Sequence, residues 1–478
     1  MEMIINKKKR SASNGKIIEV RNMATMEVID TTPAATVQDA QEALEAARQG
    51  AEVWAATPVY KRVQCIRNFL EKMKERKEEL ARLLSMENGK ILAQARAELD
   101  AAAGIFEGFA EESKRLFGQT IPLEIQEGLE KDLMITKREP LGVIVGILPF
   151  NFPAELFAHK VGSALAAGNA IIIKAPEDDP LTVIRMTEML HEAGVPGNVL
   201  QIITGYGEEV GDYLAKSPLV NAVSFTGSTE TGIHIAGNGA KNLSRVFLEL
   251  GGNDAMIICE DADIDAAVQD AVDGRLLANG QVCCATKRIL LHESVHDEFR
   301  DKLVATLSTK RLGNQLDEAT DVGPLVSEEA AMRVEEQIQY TVSQGATLIL
   351  GGKRVNSTFI EPTVLEGVTR DMDVAKDMEI FGPVFPLISF SSYEEAIEIS
   401  NQSMYGLNGA IYTRDVYKAI DAGNRIQAGI VSVNGGNCYR PMCSAFGGYK
   451  KSGIGREGTA YTLEEVTQIK SIVLRGVM

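Results

Sequence analysis

Between Pro140 and Gly227 the chain alternates short, nearly uninterrupted apolar runs, GVIVGIL, AIIIKAP, VLQIITG and NAVSFTG, with stretches of helical period. Strands apolar on both faces must be covered on both faces, and helical crossovers between them make neighbouring strands parallel. The segment therefore predicts a doubly wound parallel sheet, a fold that binds ligands in the crevice beyond the carboxyl ends of its strands. A second alternating block runs from RVFLELGG and DAMIICE, through helical text over 263–310, to ATLILGG, FIEPTVLEG and VFPLISF, and predicts a further α/β unit. Ahead of the sheet, Val37 to about Phe117 reads as a run of amphipathic helices. Residues 120–137 alternate around one glycine as a hairpin or arm. The closing TQIKSIVLRGVM reads as a strand able to pair with the arm of another subunit.

At 478 residues the chain has room for two or three domains. Its net charge of -17 excludes a uniformly basic nucleic-acid surface, so an anionic ligand must be met by local cations or helix N-termini. The six cysteines are scattered, without a CxxC pair or zinc-like spacing to the five histidines, and predict neither a disulfide framework nor a metal site. No apolar stretch follows the basic run KKKR near the N-terminus, which reads as a solvated tail and not a secretory signal. No window is apolar for long enough to span a membrane. The expectation is a reduced, cytoplasmic protein that engages neither membrane nor nucleic acid.

Four segments carry candidate chemistry. NGQVCCATKR sets Cys283 and Cys284 beside a Gly-Gln turn and ahead of two cations, where positive charge favours thiolate; a buried cysteine pair is also a pair of small hydrophobes. In LELGGND, Glu249 ends an apolar strand just before two glycines that let a ligand approach its carboxylate, as a general base needs; a strand-end acid meeting solvent fits the same text. PFNFP places Asn151 past a buried strand, as an amide donor to a developing oxyanion or as a turn residue. FTGSTETG is strand, Gly-Ser turn and helix, a cradle for one phosphate on free N–H groups, and the GxGxxG fingerprint is missing. In IIIKAPEDDP, Lys174 and Glu177 leave a strand end on the crevice side, placed to grip ribose hydroxyls.

Taken together and in this order, PFNFP, FTGSTETG, LELGGN, GQVCC and EIFGPV, followed by GGYKKSGIGREG, resemble the aldehyde dehydrogenase superfamily over nearly the whole chain. The resemblance implies that Cys283 is the nucleophile and Cys284 its neighbour. It implies that Asn151, with the Cys283 N–H, receives the oxyanion, and that Glu249 activates thiol or water. Lys174 and Glu177 match positions holding a ribose, Gly227 and Ser228 the pyrophosphate turn, Glu379 the nicotinamide ribose, and Phe150 and Phe381 packing around the cofactor. The implied architecture is α/β. It has a Rossmann-like NAD-binding domain of residues 1–119 and 138–250, to which 430–460 return, and an α/β catalytic domain of 251–429. A small β oligomerisation arm of 120–137 and 461–478 completes a homo-oligomer, dimer or tetramer. The implied reaction is addition of thiolate to an aldehyde, hydride transfer to NAD, and hydrolysis of the thioester. One oxyanion donor in such a site is worth on the order of 3 kcal/mol, so Asn151 matters to rate more than to folding.

Two positions depart from the family pattern: Asn253 stands where ELGGK has lysine, and Gln468 stands at a tail position that is often glutamate, which puts a proton relay from Glu249 in question. A carboxylate at Glu177 repels a 2'-phosphate, favouring NAD over NADP. In GGNCYRPMCSAFGG, which resembles the family's substrate-mouth loop, Arg440 has the fork that reads an acid group, while backbone carbonyls or solvent would hold it equally well. Met442, Phe152 and Phe157 are candidates for an apolar tunnel or for core. The substrate expected is a short hydroxy- or acid-bearing aldehyde of the lactaldehyde or succinate semialdehyde type. The rivals are a coenzyme A-acylating enzyme and a catalytically silent binding member of the fold.

Overall fold

The strands read from the sequence assemble into two large sheets in the computed structural model, which describes residues 1–477. Five strands of the first sheet are parallel, side by side in the order Leu200–Ile203, Ala170–Lys174, Val143–Ile147, Ala222–Thr226 and Arg245–Glu249. The chain begins in the middle, winds out to one side, then crosses to the other, so the order reverses between Val143–Ile147 and Ala222–Thr226. Loops leaving strands at such a reversal part from each other and open a crevice. Here those loops begin PFN and TGS.

Strand residues of alternate parity face opposite layers. Ile144, Ile171 and Ile173 pack on the helices Val59–Glu75, Leu92–Glu112 and Leu181–Glu192, whereas Val143, Val145 and Ile172 pack on Val37–Ala55 and its neighbours. The second sheet, also mostly parallel, is built on Ala255–Ile258, Arg288–His292, Val384–Phe390 and Asn408–Tyr412. Its parallel strands likewise bury apolar residues on both faces.

One local expectation is overturned. The N-terminus is not a solvated tail: Met3–Ile5 is buried and pairs with Leu200–Ile203, and Lys8–Arg10 folds back on it as the outer strand. Asn6 and Lys7, both at positive φ, make the tight turn whose twist matches a hairpin. The C-terminal strand Thr467–Leu474 finds its partner in its own chain, pairing along its length with Leu133–Pro140, which in turn pairs with Thr120–Pro122. This three-stranded sheet leaves Ile469, Ile472, Val473 and Leu474 exposed. No helix among the described residues is long and apolar enough to cross a membrane.

Candidate active site

Cys283 sits on a turn that the chain reaches through three successive left-handed residues, Ala278, Asn279 and Gly280. A non-glycine residue in that region costs roughly 1–2 kcal/mol, so the loop needs compensating bonds. Asn279 supplies them, donating to Pro324 O at 2.7 Å and accepting from Gly323 N at 2.9 Å, while Gln281 accepts from Val326 N at 3.1 Å. At Gly280 a Cβ would lie 2.2 Å from Gly382 O, so only glycine lets the two loops cross. Lys287 donates to Cys283 O and pairs with Glu379 at 2.7 Å. A hydrogen bond with Cys284, then burial, hold the Cys283 thiol well above its ordinary range, and Lys287 and Arg440 pull the other way without prevailing. The two cations after the cysteines thus do not leave a resting thiolate, as the sequence suggested.

Parallel register brings the other candidates to the same place. Glu249 ends its strand beside Thr226, its partner in the ladder, at the edge of the crevice. Burial, then the charge of Glu457, hold Glu249 well above the usual carboxylate range against Arg440 and Lys160, and its Oε2 is buried without a partner. Asn151 is buried, donates from Nδ2 to Gln281 O at 3.0 Å and accepts from Phe152 N at 3.1 Å. This fixes which end of the amide is the donor. Beneath it lies a fully buried ion pair, Lys90 with Glu98. Lys90 also donates to Asn151 O at 2.7 Å, and Glu98 accepts from Ala154 N at 2.8 Å. Breaking such a pair from one side costs about 3–5 kcal/mol, so the loop bearing Asn151 is firmly anchored.

The charges behind Glu249 were not foreseen. The helix after PFNFP widens to a π turn over Ala158–Gly162, the kind of irregularity that re-aims side chains at functional sites. It carries His159 and Lys160 inward, where Lys160 donates to Thr226 Oγ1 at 2.8 Å and lies 3.6 Å from Glu457. Burial would raise Glu457, but His159, Lys160 and Arg440 reverse this and hold it at about 2. Burial pushes His159 itself down to about 3, so near neutral pH the charge comes from Lys160 and Arg440. Of two neighbouring carboxyls one is kept charged and the other readily carries a proton, the arrangement that separates acid and base roles. A cavity of about 20 Å³, lined by both carboxyls with Lys160, His159 and Glu465, has room for one water between them. Gln468 is exposed in the C-terminal strand opposite Glu139, so its replacing glutamate leaves this arrangement untouched. GREG was visible in the sequence; its meeting with Glu249 was not.

Two cavities meet at Cys283. One side is a cleft of about 720 Å³ that passes Lys174, Glu177, Gly227 and Ser228, and continues into a pocket of about 280 Å³ lined by Phe150, Asn151, Glu249, Cys283, Glu379 and Phe381. Phe150 and Phe381 meet edge to face at 6.1 Å. Ser228 caps the helix Thr229–Asn242, accepting from Thr231 N at 3.3 Å, and the first-turn N–H groups of Thr229 and Glu230 have no intrahelical acceptor. Lys174 pairs with Glu177 at 2.5 Å, and Glu177 accepts from Gly207 N at 2.8 Å. A Cβ at Gly251 would lie 2.6 Å from Glu379 Oε2, so glycine there lets that carboxylate reach the pocket. This cleft has an open helix end able to receive an anion and carboxylates able to accept from hydroxyls, groups that a nicotinamide dinucleotide would use. Asn253 is not in it; its Nδ2 donates to Val374 O at 3.0 Å and Lys376 O at 2.9 Å and ties down a loop.

The other cavity, about 180 Å³, is lined by Asn151, Phe152, Glu155, Cys283, Arg440 and Glu457 among others. Three expectations about this side need correction. Phe157 is fully buried against Phe106 in the core, not in the tunnel. Met442 is 45% exposed and packs over the glycines at 104 and 108 of the helix Leu92–Glu112. Arg440 does line the cavity, yet it is not a lone cation: it donates to Glu457 at 2.8 Å and His159 Nε2 at 3.2 Å, lies 3.7 Å from Glu155, and stacks 3.7 Å over the Phe446 ring. Arg440's charge is therefore balanced by carboxyls and its Nη2 is committed, which leaves no unpaired cation for a substrate acid.

The profile of the aldehyde dehydrogenase family matches residues 9–472. The chain is 39% identical to a glutarate-semialdehyde dehydrogenase of Pseudomonas putida, over 98% of this chain and 97% of that one. It is 38% identical to a lactaldehyde dehydrogenase of Methanocaldococcus jannaschii, over 96% and 98%. Among solved structures, an NADP-dependent enzyme of E. coli superposes with a TM-score of 0.96 at 36% identity, covering 99% and 98%.

Proposed function

The chain belongs to the aldehyde dehydrogenase family, whose reaction is NAD(P)-dependent oxidation of an aldehyde to the acid, and from that premise we propose that it oxidises a short aldehyde with a polar tail on Cys283, using NAD and water. The observation that carries this reading is the meeting at one thiol of a pocket that continues a long cleft and a small cavity carrying three carboxyls and a guanidinium, with Asn151 and Glu249 lining both pocket and cavity. NAD bound in the cleft supplies the hydride acceptor. Lys174 and Glu177 hold one ribose, the helix end at Ser228 the pyrophosphate, and Glu379 the other ribose. Glu249 takes the proton of the Cys283 thiol as sulfur adds to the carbonyl carbon, and Asn151 with the Cys283 N–H receives the oxygen. The thiol proton leaves Glu249 for water in the cavity behind it, and after oxidation the freed carboxylate takes a proton from the water that cleaves the thioester. Lys160 and the charged Glu457 stand behind it to pass that proton on.

Glu177, Asp178, Glu208, Asp212 and Glu230 all line the cleft, its cation Lys174 is already paired with Glu177, and His234 is bonded to Asp212. A 2'-phosphate would enter this field without a partner. Glu177→Gln is expected to narrow the preference for NAD over NADP by roughly 10-fold or more, the worth of a charge-assisted hydrogen bond. The test is a panel of aldehydes assayed with NAD and NADP, with and without coenzyme A. Aldehyde-dependent NADH formation that ignores coenzyme A is expected; a requirement for coenzyme A supports acyl transfer, and no turnover supports a silent binding role.

The exposed apolar strand Thr467–Leu474 and its open edge supply the surface for a homo-oligomer. Sedimentation should show a dimer or tetramer at micromolar concentration, and a stable, active monomer would contradict it.

A further inference from the structure

Resting on the aldehyde oxidation proposed above, we infer that Glu155 and Arg440 form a neutralised donor–acceptor pair that selects hydroxyl-bearing aldehydes and disfavours aldehydes with an acid tail. The starting observation is electrostatic. Three carboxyls line the cavity on the substrate side of Cys283, those of Glu155, Glu249 and Glu457, against one lining cation, Arg440. Arg440 is 15% exposed, and its Nη2 is committed to Glu457 and His159. A carboxylate tail entering here would leave water and meet no unbalanced positive charge, a desolvation that nothing in the wall offsets.

A hydroxyl meets a different wall. The Glu155 carboxyl is 21% exposed and opens on the cavity. Arg440 Nη1 is 3.7 Å from it, beyond hydrogen-bond distance. Glu155 thus keeps free valence, and beside it the guanidinium keeps N–H groups not given to Glu457. A hydroxyl is both donor and acceptor and satisfies the two at once. The position of Glu155 is not accidental: its backbone N–H, at 3.3 Å, and that of Ala154, at 2.8 Å, are held by the buried Glu98. Burial raises Glu155 above the ordinary carboxylate range and Arg440 opposes this, but charged or protonated it remains a partner for a hydroxyl. A site built around such groups penalises an analogue that leaves them unpaired.

The experiment compares kcat/KM within pairs of similar length: lactaldehyde against propanal, and succinate semialdehyde against butanal. Both ratios are taken for the wild-type enzyme and for Glu155→Gln, with NAD saturating and a thermal transition confirming that the variant is folded. The wild type should favour lactaldehyde over propanal by about 10-fold or more, and should use succinate semialdehyde less well than butanal. In Glu155→Gln the first ratio should fall and the second rise, each by about 10-fold. A wild type that prefers succinate semialdehyde to butanal overturns the inference whatever the variant does, as does a folded variant with both ratios unchanged. Failure to oxidise even propanal and butanal would instead overturn the proposed reaction, and the inference with it.

Discussion

Cys283→Ser is expected to lower aldehyde oxidation by on the order of 10⁴-fold or more, whereas Cys284→Ser keeps the larger part of it. The two thiols are adjacent in sequence, and only their surroundings separate them. Cys283 faces the junction of both cavities with Asn151 and Glu249. Cys284 is buried, and Cys438 donates to its carbonyl at 3.3 Å. A serine hydroxyl at 283 keeps the size but is far harder to deprotonate, and the only base at hand is Glu249. Serine at 284 keeps a small hydrogen-bonding group in that buried place and leaves the nucleophile, the amide and the base where they are. Initial rates of NADH formation check this, together with peptide mapping of alkylation, in which protection of residue 283 by NAD and aldehyde should be seen in wild type and in Cys284→Ser, and modification at 283 should be absent only in Cys283→Ser. Comparable losses of rate in both variants would sink the assignment.

Glu249→Gln should reduce kcat by roughly 10² to 10⁴, the contribution of a positioned general base, while leaving the affinity for NAD nearly unchanged. Its carboxyl lines the pocket beside Cys283 but not the long cleft that holds the rest of the dinucleotide. If thiol addition survives better than hydrolysis, the variant should release about one equivalent of NADH per site in a burst before a slow steady state. The sign of the pH effect follows from burial and from Glu457. Both hold Glu249 protonated above the ordinary carboxylate range, and the Cys283 thiol is likewise raised, so wild-type activity should climb as the pH rises and these protons leave. In Glu249→Gln the part of that climb belonging to the carboxyl should vanish, leaving a single steeply alkaline limb. A variant with unchanged kcat and a weakened hold on NAD would assign Glu249 to cofactor binding.

The lower part of this protein's organisation was legible because it is local. Alternating apolar runs specify parallel strands, and a residue ending such a strand must emerge at the crevice, which is why Glu249, Lys174 and Asn151 were found from text alone. The N-terminal run was misread for the same reason: KKKR looks solvated, and its lysines are, but the MII before it joins a sheet whose edge is made about 200 residues later. The tail strand was seen as a strand from its text, and the fold pairs one of its edges with Leu133–Pro140 of its own chain, since period-2 text says that a strand will pair but not with what.

What the sequence determined by itself was the fold class, the candidate nucleophile and the strand ends that surround it, because each depends on periodicity or on motifs within short windows. What only the tertiary structure decided was the charge each group experiences. Arg440 read as a lone cation in an acidic protein, and packing gives it Glu457 from further along its own loop and Glu155 from the helix after PFNFP. Phe157 and Met442 looked fit for a tunnel, and the turn of one helix and the path of one loop send them to the core and the surface. Glu249 is raised first by burial and then by the charge of Glu457, a residue that the folded chain returns to its side. Electrostatic interactions act through space and depend on burial, so two carboxyls with the same chemistry in the sequence become, in the fold, one held charged and one poised to take a proton.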